Sequence, residues 1–170
     1  MKLETHRLII EQLTTEDTSF LIELLNQPSF KKNIGERYVT DEKSALNFLQ
    51  DGPWLTYPRD IGMHCVKIKK TGEAIGLVGL MRRDYLNMPD LGYAFLEQYH
   101  GVGFASEAAR EVVNWAHFDK GYRRICAIVN QDNQPSIDLL EKLAFNFAKT
   151  TAQLPNDMAN VSYYELDFEH

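Results

Sequence analysis

Two spacings of apolar residues recur along this chain, and together they predict an alternation of strands and helices. Continuous or alternating apolar runs indicate strands, whereas apolar residues three and four positions apart indicate amphipathic helices. The predicted strands are Leu8–Ile10, His64–Ile68, Ala74–Met81, Leu91–Leu96, Ile125–Val129, Phe145–Thr150 and Val161–Phe168. Three predicted helices follow the cap residues Thr14, Thr40 and Asn133, and a fourth occupies Ala105–Lys120. This order predicts one α/β domain built around a mixed sheet.

Length and composition are those of an ordinary globular domain. The chain has 170 residues, of which 44% are hydrophobic and 25% charged, so we expect a single domain over residues 1–170. No apolar stretch approaches the ~18 residues of a membrane span, and the polar N-terminus does not resemble a secretory signal. We therefore expect a cytoplasmic protein without a membrane partner. The net charge of −6 and the lack of basic runs argue against nucleic acid as a partner and mildly favour cationic substrates such as amines.

The cysteines and histidines do not indicate a catalytic thiol or a metal site. Cys65 and Cys126 each lie in an apolar, strand-like run, which favours buried structural thiols over nucleophiles. The five histidines show no spacing typical of metal ligands, so we expect no metal.

A glycine-containing segment, Tyr99–Ala108, lies between a predicted strand and a predicted helix. Gly101 and Gly103 carry no Cβ and tolerate a positive φ, so their backbone amides are able to converge on an anion at the helix N-terminus. The alternative is a tight turn between strand and helix without a ligand. No P-loop motif is present, and Ser106 stands where the dinucleotide fingerprint has its third small residue, a Gly or Ala.

Three separated blocks make the chain resemble the GNAT superfamily of N-acetyltransferases, and in particular its RimJ/RimL-like branch. The blocks are Glu4–Leu13, Asp90–Ala108 and Asn133–Phe145, and the weakest match is Pro28–Arg59. The resemblance implies a single-domain α/β (α+β) GNAT-like fold, with a mixed, mostly antiparallel sheet of about seven strands and about four helices. It also implies an acetyl-CoA-dependent acyltransferase that acts on an amine.

The same resemblance implies a set of cofactor-binding residues. The diphosphate of CoA is expected on the amides of the phosphate-binding loop, which we define as residues 101–106, with help from the Ser106 hydroxyl. Pantetheine is expected along the strand that ends at Phe95 and Leu96, whose amides polarise the thioester carbonyl. Asn133 contacts pantetheine, caps its helix, or does both, and His100 either contacts CoA or is an exposed neutral side chain. The full set is Phe95, Leu96, His100, Gly101, Val102, Gly103, Phe104, Ala105, Ser106 and Asn133.

Two residues are the candidate catalysts that the resemblance implies for direct transfer without an acyl-enzyme. Asp90 aligns with a strand carboxylate that acts as a base in related enzymes, and its shorter side chain favours action through water; alternatively it is a solvated residue at the strand start. Ser136 matches a serine proposed to contact the sulfur, or else it only supports the helix cap. Many superfamily members carry a tyrosine where this chain has Leu140, and Ala144 replaces a usual glycine.

Function and partners stay open between several hypotheses. An N-acetyltransferase is favoured, with a non-catalytic acyl-CoA-binding module and an interaction domain without cofactor as rivals. The favoured acceptor is a protein or peptide N-terminus, followed by a small amine. Its determinants are expected in Lys31–Tyr57 and Gln153–Asn160, and the protein is expected to be a monomer or a homodimer.

Overall fold

The computed structural model describes residues 1–150 and 160–169, without the side chains of residues 149 and 150. Within these ranges one sheet of eight strands has the order β1-β2-β3-β4-β5-β6-β8-β7, and β5 and β6 are its parallel pair. The mixed, mostly antiparallel sheet is therefore confirmed, and the strand beyond the seven expected from the sequence is the two-residue β1. The strands are β1 (Leu3–Glu4), β2 (Leu8–Glu11), β3 (Gly62–Ile68), β4 (Ala74–Met81), β5 (Asp90–Phe95), β6 (Arg124–Asn130), β7 (Asn146–Thr150) and β8 (Val161–Asp167).

Four helices of nine or more residues in the described ranges correspond to the four that the sequence predicts. Two shorter helices, α2 and α4, were not predicted; both begin with a proline, whose fixed φ suits the first helical turn. No helix in the described ranges is long and apolar enough to span a membrane. The helices are α1 (Thr18–Asn26), α2 (Pro28–Asn33), α3 (Glu42–Asp51), α4 (Pro53–Thr56), α5 (Phe104–Phe118) and α6 (Gln134–Lys142).

The predicted caps are confirmed at two of three helices. Thr14 and Asp17 form a reciprocal capping box on the short 3₁₀ turn before α1. The Asn133 side chain accepts from the Ser136 amide at the start of α6. At α3 the prediction of Thr40 is wrong by one residue, because the Asp41 carboxylate accepts from the Ser44 amide at 2.8 Å.

Helices cover the sheet on both faces. Helices α5 and α6 pack on one face, where residues such as Val112 and Leu140 join the larger core. Helices α1 and α3 pack on the other face around residues such as Leu24 and Leu49. Both cysteines are buried and free, as predicted. Burial raises the pKa of the Cys126 thiol to about 12, so it is un-ionised at neutral pH.

The sheet opens between its two parallel strands. Strands β5 and β6 pair only at Asp90 and Cys126, where the Cys126 amide donates to the Pro89 carbonyl at 2.9 Å. The Leu96 amide bonds instead to Ile75 on the β4 side. Because peptide groups alternate in direction along a strand, those of Tyr93 and Phe95 point away from β4 and into the gap. A groove with unpaired backbone groups therefore runs along β5 towards the glycine segment.

Candidate active site

The phosphate-binding loop has the backbone geometry of an anion site. Gly101 and Gly103 adopt φ values of +78° and +86°, in the left-handed region. Gly103 directly precedes α5, and the first backbone bond there runs from the Glu107 amide to the Gly103 carbonyl at 3.0 Å. No described residue accepts a hydrogen bond from the amides of residues 101–106. Six donors thus remain available at the positive end of a 15-residue helix.

The side chains of this loop divide into packing and exposed groups. The Phe104 ring is partly buried against the larger core and meets the Tyr99 ring edge to face, with centroids 6.1 Å apart. The Val102 side chain is 53% exposed. A shallow depression of ≈ 500 Å³ beside the loop is lined by residues that include Gly103 and Ser106 together with Arg110 and Lys142. The loop therefore offers main-chain donors beside an open surface that carries basic side chains as well as the acidic Glu107 and Glu111.

At the end of the groove, the His100 side chain forms a hydrogen bond that the sequence did not indicate. Its Nε2 lies 2.8 Å from the Phe95 carbonyl oxygen, so the ring donates to a peptide group on the open edge of β5. The Phe95 amide belongs to the preceding peptide and keeps its own direction into the gap. Phe95 and Leu96 themselves are buried, so they offer backbone groups and not side chains to a ligand.

The start of α6 faces the middle of β5 across the groove. The Tyr93 hydroxyl donates to the Ser136 carbonyl at 3.1 Å, and burial raises the pKa of Tyr93 to about 12. The Ser136 hydroxyl has no partner among the described residues and stays free to contact a ligand. Sequence reasoning missed Tyr93; the signal was a hydroxyl-bearing residue at a position whose strand neighbours, Leu91 and Phe95, are simple apolar core residues.

Asp90 lies at the closed end of the groove, where β5 and β6 still pair. Its side chain is 1% exposed and its Oδ2 accepts from Arg83 Nε at 3.0 Å, so the alternative of a solvated residue is wrong. Burial raises the pKa of Asp90, and the Arg83 guanidinium opposes that rise. Oδ1 is buried without a partner in the described parts of the chain. Side chains alternate along a strand, so Asp90 projects from the sheet face opposite to Leu91 and Tyr93.

The side chain of Leu140 and the contacts of α2 complete the description of the groove. Leu140 is buried in the core, so the place where many family members carry a tyrosine supplies no hydroxyl here. The Glu97 carboxylate accepts from the Ser29 amide at 3.0 Å, and Asn130 donates to the Asn33 carbonyl at 3.1 Å. These bonds fix α2 beside the groove on the α1 and α3 face. Of the two segments expected to select the acceptor, Gln153–Asn160 lies outside the described residues except for Asn160.

Comparison with known proteins agrees with this geometry. The family model of the acetyltransferase (GNAT) domain matches residues 7–146, so the chain belongs to the GNAT acetyltransferase family. It is 30% identical over 144 residues to p20, an uncharacterized N-acetyltransferase of Bacillus licheniformis, covering 84% of this chain and 81% of the relative. The resemblance inferred from the three sequence blocks is confirmed, and the protein is an acyltransferase.

Two solved structures illustrate the shared fold. RimL, a ribosomal L7/L12 alpha-N-protein acetyltransferase in its apo form, superposes with a TM-score of 0.82 at 16% identity, covering 99% of this chain and 94% of that one. MccE, a microcin C7 self-immunity acetyltransferase solved with acetyl-CoA and AMP, gives a TM-score of 0.79 at 17% identity, with 96% and 94% covered. Both structures share the fold of this chain.

Proposed function

We propose that this enzyme binds acetyl-CoA in the groove beside β5 and transfers the acetyl group directly to a protein or peptide N-terminus. The observation that carries the proposal is the set of unpaired amides at residues 101–106, placed where a strand with unpaired backbone groups ends. A diphosphate needs convergent donors, and a pantetheine arm needs backbone partners in an extended line. Both requirements are met in one continuous groove.

The cofactor extends along the groove in a defined direction. Its diphosphate accepts from the amides of residues 101–106, and the Ser106 hydroxyl adds a further donor. Pantetheine runs beside Tyr93 and Phe95 towards Asn133 at the start of α6. The Phe95 amide, which points into the gap, donates to the thioester carbonyl and stabilises the oxyanion that forms there. The bond from His100 to the Phe95 carbonyl fixes the neighbouring peptide.

Asp90 acts on the amine before attack, and Ser136 acts on the thiolate as it leaves. A small alkylammonium has a pKa of about 10 and an N-terminal ammonium a pKa of about 7.7–8.0, so a base must remove a proton before attack. Asp90 accepts that proton through water, and its raised pKa makes it a stronger base than an ordinary carboxylate. The amine nitrogen then bonds to the carbonyl carbon and the C–S bond breaks. The Ser136 hydroxyl gives a proton to the departing thiolate and regains one, through water, from the attacking nitrogen, so that the products are the amide and the free thiol and the hydroxyl is restored. Asp90 and the β5 residues that face α6 lie on opposite sheet faces, which suits attack from one side and departure on the other.

An N-terminal acceptor is supported by the surroundings of α2. That helix borders the groove through Asn33 and Ser29. The described segment Lys31–Tyr57 carries a shallow, open depression of ≈ 400 Å³ lined by residues that include Tyr38 and Phe48. An open approach suits the end of a peptide chain better than a small amine, which a closed pocket would hold. RimL, which shares the fold, is an alpha-N-protein acetyltransferase.

An acceptor screen read by release of free CoA thiol tests the proposal. Peptides with free N-termini are compared with their N-acetylated counterparts and with small amines such as spermidine, at fixed acetyl-CoA. We expect thiol release with free N-termini only, and slower release in the Asp90→Asn and Ser136→Ala variants. Turnover of small amines alone would overturn the acceptor class. Acetyl-CoA binding without release for any acceptor would favour the non-catalytic module, and absence of binding would overturn the cofactor site.

A further inference from the structure

One arginine, far away in sequence, holds the phosphate-binding loop at both of its ends. Arg7 precedes β2, and its Nε donates to Glu107 Oε2 at 2.7 Å while its own amide donates to Oε1 at 2.8 Å. Its Nη1 donates to the Val102 carbonyl at 3.0 Å, and its guanidinium lies 4.3 Å from the centre of the Phe104 ring. Thr5 adds a hydroxyl bond to the same carboxylate. We call Arg7 and Glu107 the clasp.

The contact with Val102 determines the direction of an amide. The carbonyl of Val102 and the amide of Gly103 belong to one peptide group, in which C=O and N–H point in opposite directions. When Arg7 holds the carbonyl on the outer side of the loop, the Gly103 amide must point to the opposite side. Without the clasp that peptide is free to rotate, because glycine at 103 tolerates many backbone conformations. A rotated peptide would put a carbonyl oxygen where a diphosphate needs a donor.

The charge of the clasp is balanced within the protein. Burial raises the pKa of Glu107, but hydrogen bonds from Thr5 and Arg7 outweigh this and hold the pKa below its usual value, so the carboxylate is ionised at neutral pH. The Arg7 side chain, 39% exposed, therefore faces a negative partner at 2.7 Å. Glu107 therefore largely neutralises the positive charge of Arg7, so Arg7 acts on the loop mainly by holding the backbone in one orientation.

We propose that Arg7, with Glu107, is a positioning residue that fixes the orientation of the Gly103 amide and so sets the affinity of the loop for the diphosphate of CoA. This inference rests on the proposed function, since it assumes that the loop binds CoA. It differs from a direct ionic contact between Arg7 and the phosphates, and the two ideas predict opposite results for the partner carboxylate.

The test is a set of CoA binding measurements by calorimetry on the parent, Arg7→Lys, Glu107→Gln and the double variant. Arg7→Lys keeps the charge and the backbone bond but loses the geometry of the two side-chain donor contacts, to Glu107 and to the Val102 carbonyl, and Glu107→Gln removes the charged anchor. We expect each single variant to bind CoA about tenfold more weakly, and the double variant to bind no worse than the weaker single variant. A direct ionic role requires Arg7→Lys to bind almost normally and Glu107→Gln to bind more tightly, and that result would overturn the clasp.

A control and a kinetic measurement separate positioning from general stability. Lys69→Gln removes a positive charge from an exposed ion pair with Glu4, 3.1 Å long and near the same strands, and should leave CoA affinity unchanged. In the clasp variants the KM for acetyl-CoA should rise while kcat and the KM for the acceptor hold, whereas a merely structural role lowers the melting temperature without moving KM. A parent that does not bind CoA refutes the proposed function and the clasp with it. A parent that binds, with both single variants equal to it, refutes the clasp alone.

Discussion

The two sides of the groove are built from different parts of the polypeptide. The cofactor side consists of main-chain groups, namely the amides of residues 101–106 and the unpaired peptide groups of β5. The base side consists of side chains, namely the buried Asp90 and the Arg83 that bonds to it. A main-chain site tolerates many side chains as long as the backbone keeps its conformation. A side-chain site depends on the identity of each residue and on its partners.

This difference predicts that the two sides respond differently to substitution. On the cofactor side, damage should come from changes in backbone conformation or in the clasp that orients it. On the base side, damage should come from changes in charge at single atoms.

Replacing Asp90 with Asn should lower kcat/KM by about 100-fold or more, because general-base catalysis contributes about 10²–10⁴-fold. A base must be ionised to act, and burial raises the pKa of Asp90. Activity of the parent should therefore fall as the pH drops through a value above the usual carboxyl range. The Asn variant should lose that acidic limb. The measurement is kcat/KM against pH, with the exposed Asp84→Asn as control; a parent-like profile for Asp90→Asn would show that Asp90 is not the base.

The loss of folding stability at acid pH that His64 causes has to be distinguished from the loss of activity that protonation of Asp90 causes. His64 is buried, its Nε2 has no described partner, and desolvation lowers its pKa to about 4. Below about pH 6.5, the ordinary pKa of histidine, His64 is protonated in the unfolded chain but stays neutral in the folded protein. The free energy of unfolding therefore falls between pH 6.5 and about 4. The total loss should be about 3 kcal/mol.

Urea unfolding at pH 7 and pH 5 checks this prediction. His64→Gln keeps a donor for the Gly62 carbonyl but does not titrate, so its stability should change less between the two pH values than that of the parent. His6→Gln serves as the control and should behave like the parent. Equal pH dependence in the parent and in His64→Gln would contradict a buried neutral histidine. The His64→Gln background also allows the acidic limb of Asp90 to be measured on folded enzyme.

Gly103→Ala should weaken CoA binding by about tenfold, since its added Cβ would sit at a positive φ and crowd the arginine that orients the loop. The Cβ would lie 3.3 Å from Arg7 Nη2 at a φ of +86°. Gly72→Ala is a matched control, because it has a φ of +74° and open space around it in the β3–β4 turn. Both variants should lose about 1 kcal/mol of stability, but only the first should lose affinity. Equal CoA affinity in the two variants would break the link between backbone geometry and binding.

The smallest expected effect concerns the turn after α6. Ala144 adopts a φ of +66°, a conformation that favours glycine. Ala144→Gly should raise the free energy of unfolding by about 0.5–1 kcal/mol without changing CoA affinity. Ala127→Gly, at a regularly paired position of strand β6, should instead lower it by at least as much. Denaturant titration of both variants decides the matter, and a destabilised Ala144→Gly would contradict strain at this turn.

The main-chain side of the groove was predictable from the sequence because glycine carries its conformational preference locally. Gly101 and Gly103 indicate a loop with positive φ before a helix, and the structure has that loop. Apolar spacing likewise predicts the four longer helices and seven of the strands. The two-residue β1 was not predictable from apolar spacing, because a pair of residues shows no periodicity.

The side-chain contacts were not predictable in the same way, because they join residues that only the fold brings together. Arg7 and Glu107 are 100 positions apart, and the pairing of Tyr93 with Ser136 spans 43. The burial of Asp90 depends on where β5 and β6 stop pairing, which no local pattern encodes. Its predicted role as a base stays a prediction, as does the sulfur contact of Ser136.

The most direct test of the account follows the backbone amides themselves during titration with CoA, by ¹H–¹⁵N NMR of the labelled protein. Charge-assisted hydrogen bonds to a diphosphate should shift the amides of residues 101–106 more than any others, with Gly103 among the largest. In the Arg7→Lys variant the same amides should need about tenfold more CoA to reach half of their shift. Saturable binding that leaves the amides of residues 101–106 unshifted would contradict the account.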